Sequence, residues 1–150
     1  MLKRLFHLAI NSTDLDRSVA FYKRLGFEEL QDRTVTNPQL REAFAVPCEQ
    51  CRFVHLRLGG EEATLLDIVE WGAPGTAPGE TTPAQNAHGL TRFAVLADST
   101  DEVYERLQAD GAEFVTRPTT VMTPEGGWRV CLVKDPDGIV VQITELVPAA

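Results

Sequence analysis

The stretch LFHLAI at residues 5–10 decides the fold, because it returns 85 positions later as LTRFAV at residues 90–95. The residues after each copy keep the same spacing up to a glycine. Equal spacing in two parts of a chain indicates one supersecondary unit used twice. The sequence therefore predicts a duplicated module, in which Arg92 takes the position that His7 holds in the first copy.

Each copy has the pattern of a strand, a helix and further strands. An apolar strand over residues 4–11 precedes helix-start residues, apolar positions at helical spacing and the stop signal Gly26. Residues 38–46 suggest an irregular or short helical segment. In the second copy, which starts with a strand over 89–96, residues 99–102 have the Ser-x-x-Glu form of a capping box. The remaining strands are predicted at 27–35, 52–58 and 63–71, and at 113–117, 119–123, 128–133 and 139–146.

These elements predict an α+β fold of two βαβββ modules. Module one covers residues 1–71, a Gly- and Pro-rich linker covers 72–87, and module two covers 88–150. A chain of this length buries roughly 68–70% of its unfolded surface, which is enough for one core. We therefore expect a single domain over residues 1–150.

The charge balance limits the partners of the chain. Its 14 basic and 22 acidic residues give a net charge of −8, and no basic cluster interrupts that excess, so a nucleic acid partner is not expected. No apolar run approaches the roughly 20 residues that a membrane-spanning helix needs. The N-terminus reads as the start of a strand rather than a signal peptide, so we expect a cytoplasmic protein.

Strand parity places four polar residues at equivalent positions. Side chains alternate between the two faces of a strand, and the apolar face is expected to carry the helix. On the opposite face, the first strands present His7 and Arg92, and the last strands present Asp67 and Gln142. We expect these four residues to line a shared concave surface.

Other residues are weighed against the same surface. His88 lies four residues before Arg92 and shares its face if the strand extends that far. Trp128 is a candidate for the wall of a ligand cavity, although aromatic residues on strands more often serve packing. Glu70 and Glu145 have the opposite parity and are expected to be surface charges.

The three cysteines are interpreted as reduced thiols. Cys48 and Cys51 form a C-x-x-C pair, but no second pair accompanies them, and they precede a strand rather than a helix. An odd count including Cys131 also argues against a disulfide framework. Redox and zinc functions are therefore not expected of this motif.

Several motifs together resemble one superfamily. They are the strand with His7, the helix DLDRSVAFY at residues 14–22, the helix end LGF at 25–27 and the turn DPDG at 135–138. In this order they resemble the vicinal oxygen chelate superfamily, over nearly the whole chain. That group includes glyoxalase I, methylmalonyl-CoA epimerase, extradiol dioxygenases, fosfomycin-modifying enzymes and bleomycin-binding resistance proteins.

The resemblance implies a cup of curled mixed sheets, a homodimer and a divalent metal ion. Carried onto this sequence, the metal positions are His7, Asp67, Arg92 and Gln142. Arginine stays protonated and has no lone pair to donate, so Arg92 cannot be a ligand and would repel a cation. We therefore expect no cofactor at these four positions.

Our leading hypothesis is a metal-independent member of this superfamily that binds a small oxygen-rich or anionic organic molecule. Arg92 would orient the ligand and, inside an apolar cup, would need a carboxylate partner, for which we expect Asp67. Gln142, His88 and Trp128 complete the candidate binding residues. The protein is then either a binding or resistance protein or a lyase or isomerase with His7 as general base.

Two alternatives remain open. The first is a glyoxalase I-like lyase with one divalent ion, such as Zn, Ni, Mn or Fe, held by His7, Asp67 and Gln142, with water or His88 completing the shell. The second is a structural module without a ligand, which predicts a cup filled by side chains.

Overall fold

The computed structural model describes residues 1–149 and divides into two compact units. Unit 1 is Met1–Gly79, and unit 2 begins at Glu80. This boundary falls inside the predicted linker, and the last residue of predicted module two, Ala150, lies outside the described residues. Each unit contains a strand, a helix and three further strands, so the predicted fold class is confirmed.

Unit 1 carries one four-stranded mixed sheet. Its strand order is β1-β4-β3-β2, with β1 parallel to β4 and the other neighbours antiparallel. The short helix α2 lies within the segment expected to be irregular or helical. The elements are β1 (His7–Asn11), α1 (Leu15–Arg24), β2 (Glu28–Thr36), α2 (Leu40–Phe44), β3 (Gln50–Arg57) and β4 (Leu65–Trp71).

Helix α1 begins and ends where the sequence indicates. The Asp14 carboxylate accepts a hydrogen bond from the backbone N–H of Arg17, as an N-cap residue does. Leu15 and Tyr22, which belong to this helix, are almost fully buried. Gly26, with a φ of 98°, allows the chain to leave the helix in a left-handed conformation.

Unit 2 repeats the arrangement with strand order β5-β8-β7-β6. The capping box is present in part, because the Ser99 side chain accepts a hydrogen bond from the backbone N–H of Glu102. Here too the first strand is parallel to the last. The elements are β5 (Phe93–Leu96), α3 (Thr100–Ala109), β6 (Phe114–Thr123), β7 (Gly126–Lys134) and β8 (Val140–Val147).

The first strand of each unit is shorter than predicted. β1 begins at His7 rather than residue 4, and Phe6 just before it is half exposed. The reason is the partner strand: His7 is already opposite Leu65, the first residue of β4. A strand cannot continue a ladder past the end of its partner. β5 similarly begins at Phe93 rather than 89.

The two strands predicted at 113–117 and 119–123 are one strand, β6. Its pairing with β7 shifts register between Phe114 and Thr116 and again between Thr116 and Thr119. Pro118 lacks the N–H that a regular ladder requires, so the strand continues through an irregularity instead of ending.

Glu70 and Glu145 are not merely surface charges, and that expectation was wrong. The Glu70 carboxylate accepts a hydrogen bond from the backbone N–H of Leu15 at 2.7 Å, and Glu145 accepts one from Thr100 at 2.9 Å. The first N–H groups of a helix have no partner within the helix. In each unit the last strand thus supplies a carboxylate to the start of the helix.

The three cysteines form no disulfide bond within the described residues. Cys48, Cys51 and Cys131 are free and buried. Burial raises the pKa of the Cys51 thiol and raises that of Cys131 to about 11, so neither is poised for redox chemistry.

Among residues 1–149, no helix has the length and apolar character needed to cross a membrane.

Candidate functional site

Unit 2 contains a pocket of about 600 Å³ on the sheet face that carries Arg92 and Gln142. Its lining combines apolar side chains from β6 and β7 with amide and hydroxyl groups. The lining residues are Gln85, Asn86, Arg92, Thr116, Thr119, Val121, Val130, Leu132 and Gln142.

Arg92 and Gln142 form the polar centre of this pocket. Gln142 pairs with Ala94 in the parallel ladder between β8 and β5, which brings its side chain next to Arg92. The Nε of Arg92 donates to Oε1 of Gln142 at 2.7 Å, and Nε2 of Gln142 donates to the Thr144 hydroxyl at 2.9 Å. Strand parity predicted that these two side chains share a face, and the hydrogen bond between them agrees with that prediction.

We expected Arg92 to be buried and therefore to need a carboxylate partner. Arg92 is exposed, so the expectation of burial was wrong. Within residues 80–149 its hydrogen bonds go to neutral groups only, which besides Gln142 are the carbonyl and side-chain oxygens of Gln85 and the hydroxyl of Thr91. The cost of burying an unpaired cation therefore no longer supports an ion pair between Arg92 and Asp67, and that pair stays a prediction.

Unit 1 brings together His7, Asp67 and a third residue, His55. Nε2 of His7 lies 3.9 Å from Oδ2 of Asp67, and Nε2 of His55 lies 3.5 Å from Oδ1. One ligand atom from each of the three residues lies within 4.8 Å of the others. The rings of Phe6 and Phe53 each pack 5.1 Å from a histidine of this cluster, measured between centroids.

His55 was missed by the sequence reasoning, which considered only first and last strands. It lies on β3, directly opposite Asp67 in the antiparallel pair with β4. The signal that could have found it is a histidine on a strand adjacent to a candidate carboxylate. Its Nδ1 contacts the side-chain amide nitrogen of Gln31 on β2 at 2.5 Å.

The electrostatics of this cluster centre on Asp67, whose side chain is 13% exposed. Burial raises the pKa of its carboxyl, and the neighbouring His55 and His7 act in the opposite direction. Oδ1 of Asp67 and Nδ1 of His7 are buried and have no hydrogen-bond partner within residues 1–149. Buried polar atoms without partners cost stability, so the cluster is not stabilised by its own hydrogen bonds.

The remaining candidate residues join neither group. His88 is exposed in the segment before β5, and the pocket lining does not include it. Trp128 lies on β7 with 45% of its surface exposed and is also not part of that lining. Their roles in ligand binding, and that of His7 as a general base, stay predictions.

The four positions implied by the resemblance do not fit a metal centre. Arg92 has no lone pair to donate, and the Gln142 oxygen already accepts a hydrogen bond from it. His7 and Asp67 carry donor atoms that metals accept, and His55 adds a third within the same unit.

Comparisons with protein families, protein sequences and solved structures all find glyoxalase-type proteins. The family model described as Glyoxalase/Bleomycin resistance protein/Dioxygenase superfamily matches residues 4–143. The lactoylglutathione lyase of Salmonella typhimurium is 32% identical over 143 residues, covering 95% of this chain and 92% of the relative. A glyoxalase family protein from Bacillus cereus has a TM-score of 0.85 at 20% identity, covering 98% and 96% of the two chains. The trypanothione-dependent glyoxalase I of Leishmania major has a TM-score of 0.67 at 21% identity, covering 96% and 87%. At 20% and 21% identity, these two structures show that this chain shares their fold.

Proposed function

Because this chain belongs to the Glyoxalase/Bleomycin resistance protein/Dioxygenase superfamily, we propose that it is a glyoxalase-type lyase that binds a small, anionic or oxygen-rich organic molecule through Arg92. The pocket of unit 2 holds the ligand. The lyase class is carried by the lactoylglutathione lyase relative, at 32% identity. A homodimer belongs to the same proposal and is tested by light scattering.

The anchoring of Arg92 is the observation that carries the proposal. Gln142 fixes the guanidinium through Nε, and within unit 2 the other contacts go to Nη1. Nη2 is thereby left for a ligand, and no described carboxylate of unit 2 neutralises the charge. A guanidinium held in this way offers directional, charge-assisted hydrogen bonds to a carboxylate or another anionic oxygen.

The rest of the lining sets the character of the ligand. Val121, Val130 and Leu132 supply an apolar wall, and Thr119 adds a hydroxyl group. Such a pocket suits a molecule with a charged end and an apolar body. Lactoylglutathione, the compound in the relative's name, carries carboxylates that Arg92 would bind, and it is the first substrate to test.

Calorimetric titration with lactoylglutathione tests the role of Arg92. Arg92→Met keeps the length of the side chain and removes its charge and donors, so we expect a roughly 10- to 100-fold loss of affinity. Arg117→Met on β6 is the matched control, because Arg117 is exposed and is not part of the pocket lining. Equal binding by the Arg92→Met variant and the wild type would overturn the assignment of the binding site.

Turnover of the same compound tests the reaction class. We expect the wild type to interconvert lactoylglutathione with its cleavage products, and Arg92→Met to be impaired mainly through weaker binding. Binding without turnover by the wild type would contradict the lyase class and indicate a protein that only sequesters its ligand.

A further inference from the structure

We infer that unit 1 binds one divalent transition-metal ion through His7, His55 and Asp67. The three side chains lie on neighbouring strands β1, β3 and β4, so the sheet itself positions all three donors. This inference does not depend on the function proposed for the pocket of unit 2. It replaces the expectation of no metal, which was made without considering His55.

The distances between donor atoms fit an ion better than an ion pair. Nitrogen–oxygen separations of 3.5 Å and 3.9 Å exceed the roughly 2.7–2.9 Å of a charge-assisted hydrogen bond. Donor atoms about 2.1 Å from a tetrahedral ion are separated from one another by roughly 3.4 Å. One donor atom from each of the three residues lies within 4.8 Å of the others, so small side-chain rotations would bring all three to one ion.

The unpartnered atom of the cluster is a potential ligand. Oδ1 of Asp67 is buried and accepts no hydrogen bond within residues 1–149, yet it faces Nε2 of His55. A buried carboxylate oxygen left in this state costs stability, and coordination to a cation removes that cost.

Gln31 supplies the outer partner that a metal-binding histidine usually has. Its amide lies against Nδ1 of His55, and the amide oxygen and nitrogen exchange places by a half-turn. With the oxygen toward the ring, Nδ1–H donates to Gln31, and Nε2 keeps its lone pair for the ion beside Asp67. Gln31 is therefore a positioning residue for this site.

The ligand set differs from the one that the resemblance implies. It includes His55 from the middle strand β3, and no residue of unit 2 belongs to it. Two imidazoles and one carboxylate suit borderline ions such as Zn²⁺, Co²⁺, Ni²⁺ or Fe²⁺, whereas Mg²⁺ and Ca²⁺ prefer oxygen ligands. Three protein ligands leave room for water or another molecule at the ion.

Titration of the chelator-treated full chain with Co²⁺ and Zn²⁺ tests the site, with affinity read by calorimetry and coordination read by visible absorption of Co²⁺. We expect one ion per chain and no comparable binding of Mg²⁺. His55→Gln, His7→Gln and Asp67→Asn should each abolish the Co²⁺ spectrum. His88→Gln, which removes the third histidine of the chain, should leave affinity unchanged.

Variants of Gln31 separate a positioning role from a folding defect. Gln31→Ala should weaken Co²⁺ binding about 10- to 100-fold, and Gln31→Glu, which retains an acceptor for Nδ1–H, should restore most of it. Circular dichroism of each variant checks the fold. Wild-type affinity in His55→Gln, or loss of binding in His88→Gln, would overturn the inference, as would a wild type that binds neither ion.

Discussion

His7 has two proposed roles that exclude each other. A neutral imidazole has one free nitrogen lone pair, which a general base uses to take a proton and a metal ligand gives to the ion. The position of Nε2 beside the Asp67 carboxylate, with His55 on the other side of that carboxylate, favours the ligand role. Any proton transfer in the reaction then belongs to another group or to water.

Replacing Asp67 should separate stability from function. We expect Asp67→Asn to raise the free energy of unfolding of the metal-free protein by roughly 0.5–2 kcal/mol, because a largely buried carboxylate whose Oδ1 has no hydrogen-bond partner is replaced by a neutral amide. Urea unfolding in the presence of chelator measures it. A destabilised Asp67→Asn would mean that the carboxylate is already stabilised by its histidine neighbours.

At the scale of elements, each helix start depends on a carboxylate from the last strand of its unit. We expect Glu145→Ala to lower the free energy of unfolding by about 0.5–2 kcal/mol, because the N–H of Thr100 loses its acceptor. Glu70→Ala should have a similar effect through Leu15. Glu105→Ala, on the exposed side of α3, is the control, and an equal loss there would refute the capping role.

The pair between Arg129 on β7 and Asp101 on α3 gives unit 2 a dependence on pH. Two hydrogen bonds from Arg129 hold the pKa of Asp101 below its ordinary value of 3.8. A carboxyl with a lowered pKa in the folded state stabilises it above the unfolded pKa and loses that contribution as pH falls. We expect unfolding of the wild type to become easier below about pH 4, and Asp101→Asn to lack that part of the acid dependence. Glu105→Gln, with its acid dependence unchanged, is the control.

At the scale of the whole molecule, the repeat predicted the element order of both units, and strand parity predicted two pairs of neighbouring polar residues. They identified Arg92 beside Gln142 and His7 beside Asp67, because parity follows directly from alternation along a strand. His55 needed the register between β3 and β4. A two-residue turn at Gly59-Gly60 would place His55 opposite about Thr64, but the connection is longer, and Asp67 takes that position.

The resemblance also directed attention to four positions whose side chains do not together fit a metal centre, because Arg92 has no lone pair to donate. The second copy has Arg92 where the first has His7, and in unit 2 this arginine is one of the residues that line the pocket. The expectation of no metal stays untested, and it considered only these four positions, whereas unit 1 contains His55 as a further donor that the repeat does not reveal.

A crystal structure of the protein grown with Co²⁺, with anomalous scattering recorded at the cobalt edge, tests the central claim most directly. We predict one strong anomalous peak per chain, in bonding distance of Nε2 of His7, Nε2 of His55 and a carboxylate oxygen of Asp67. A peak bound by His7 without His55, or no peak at this cluster, would contradict the assignment of a metal site to unit 1.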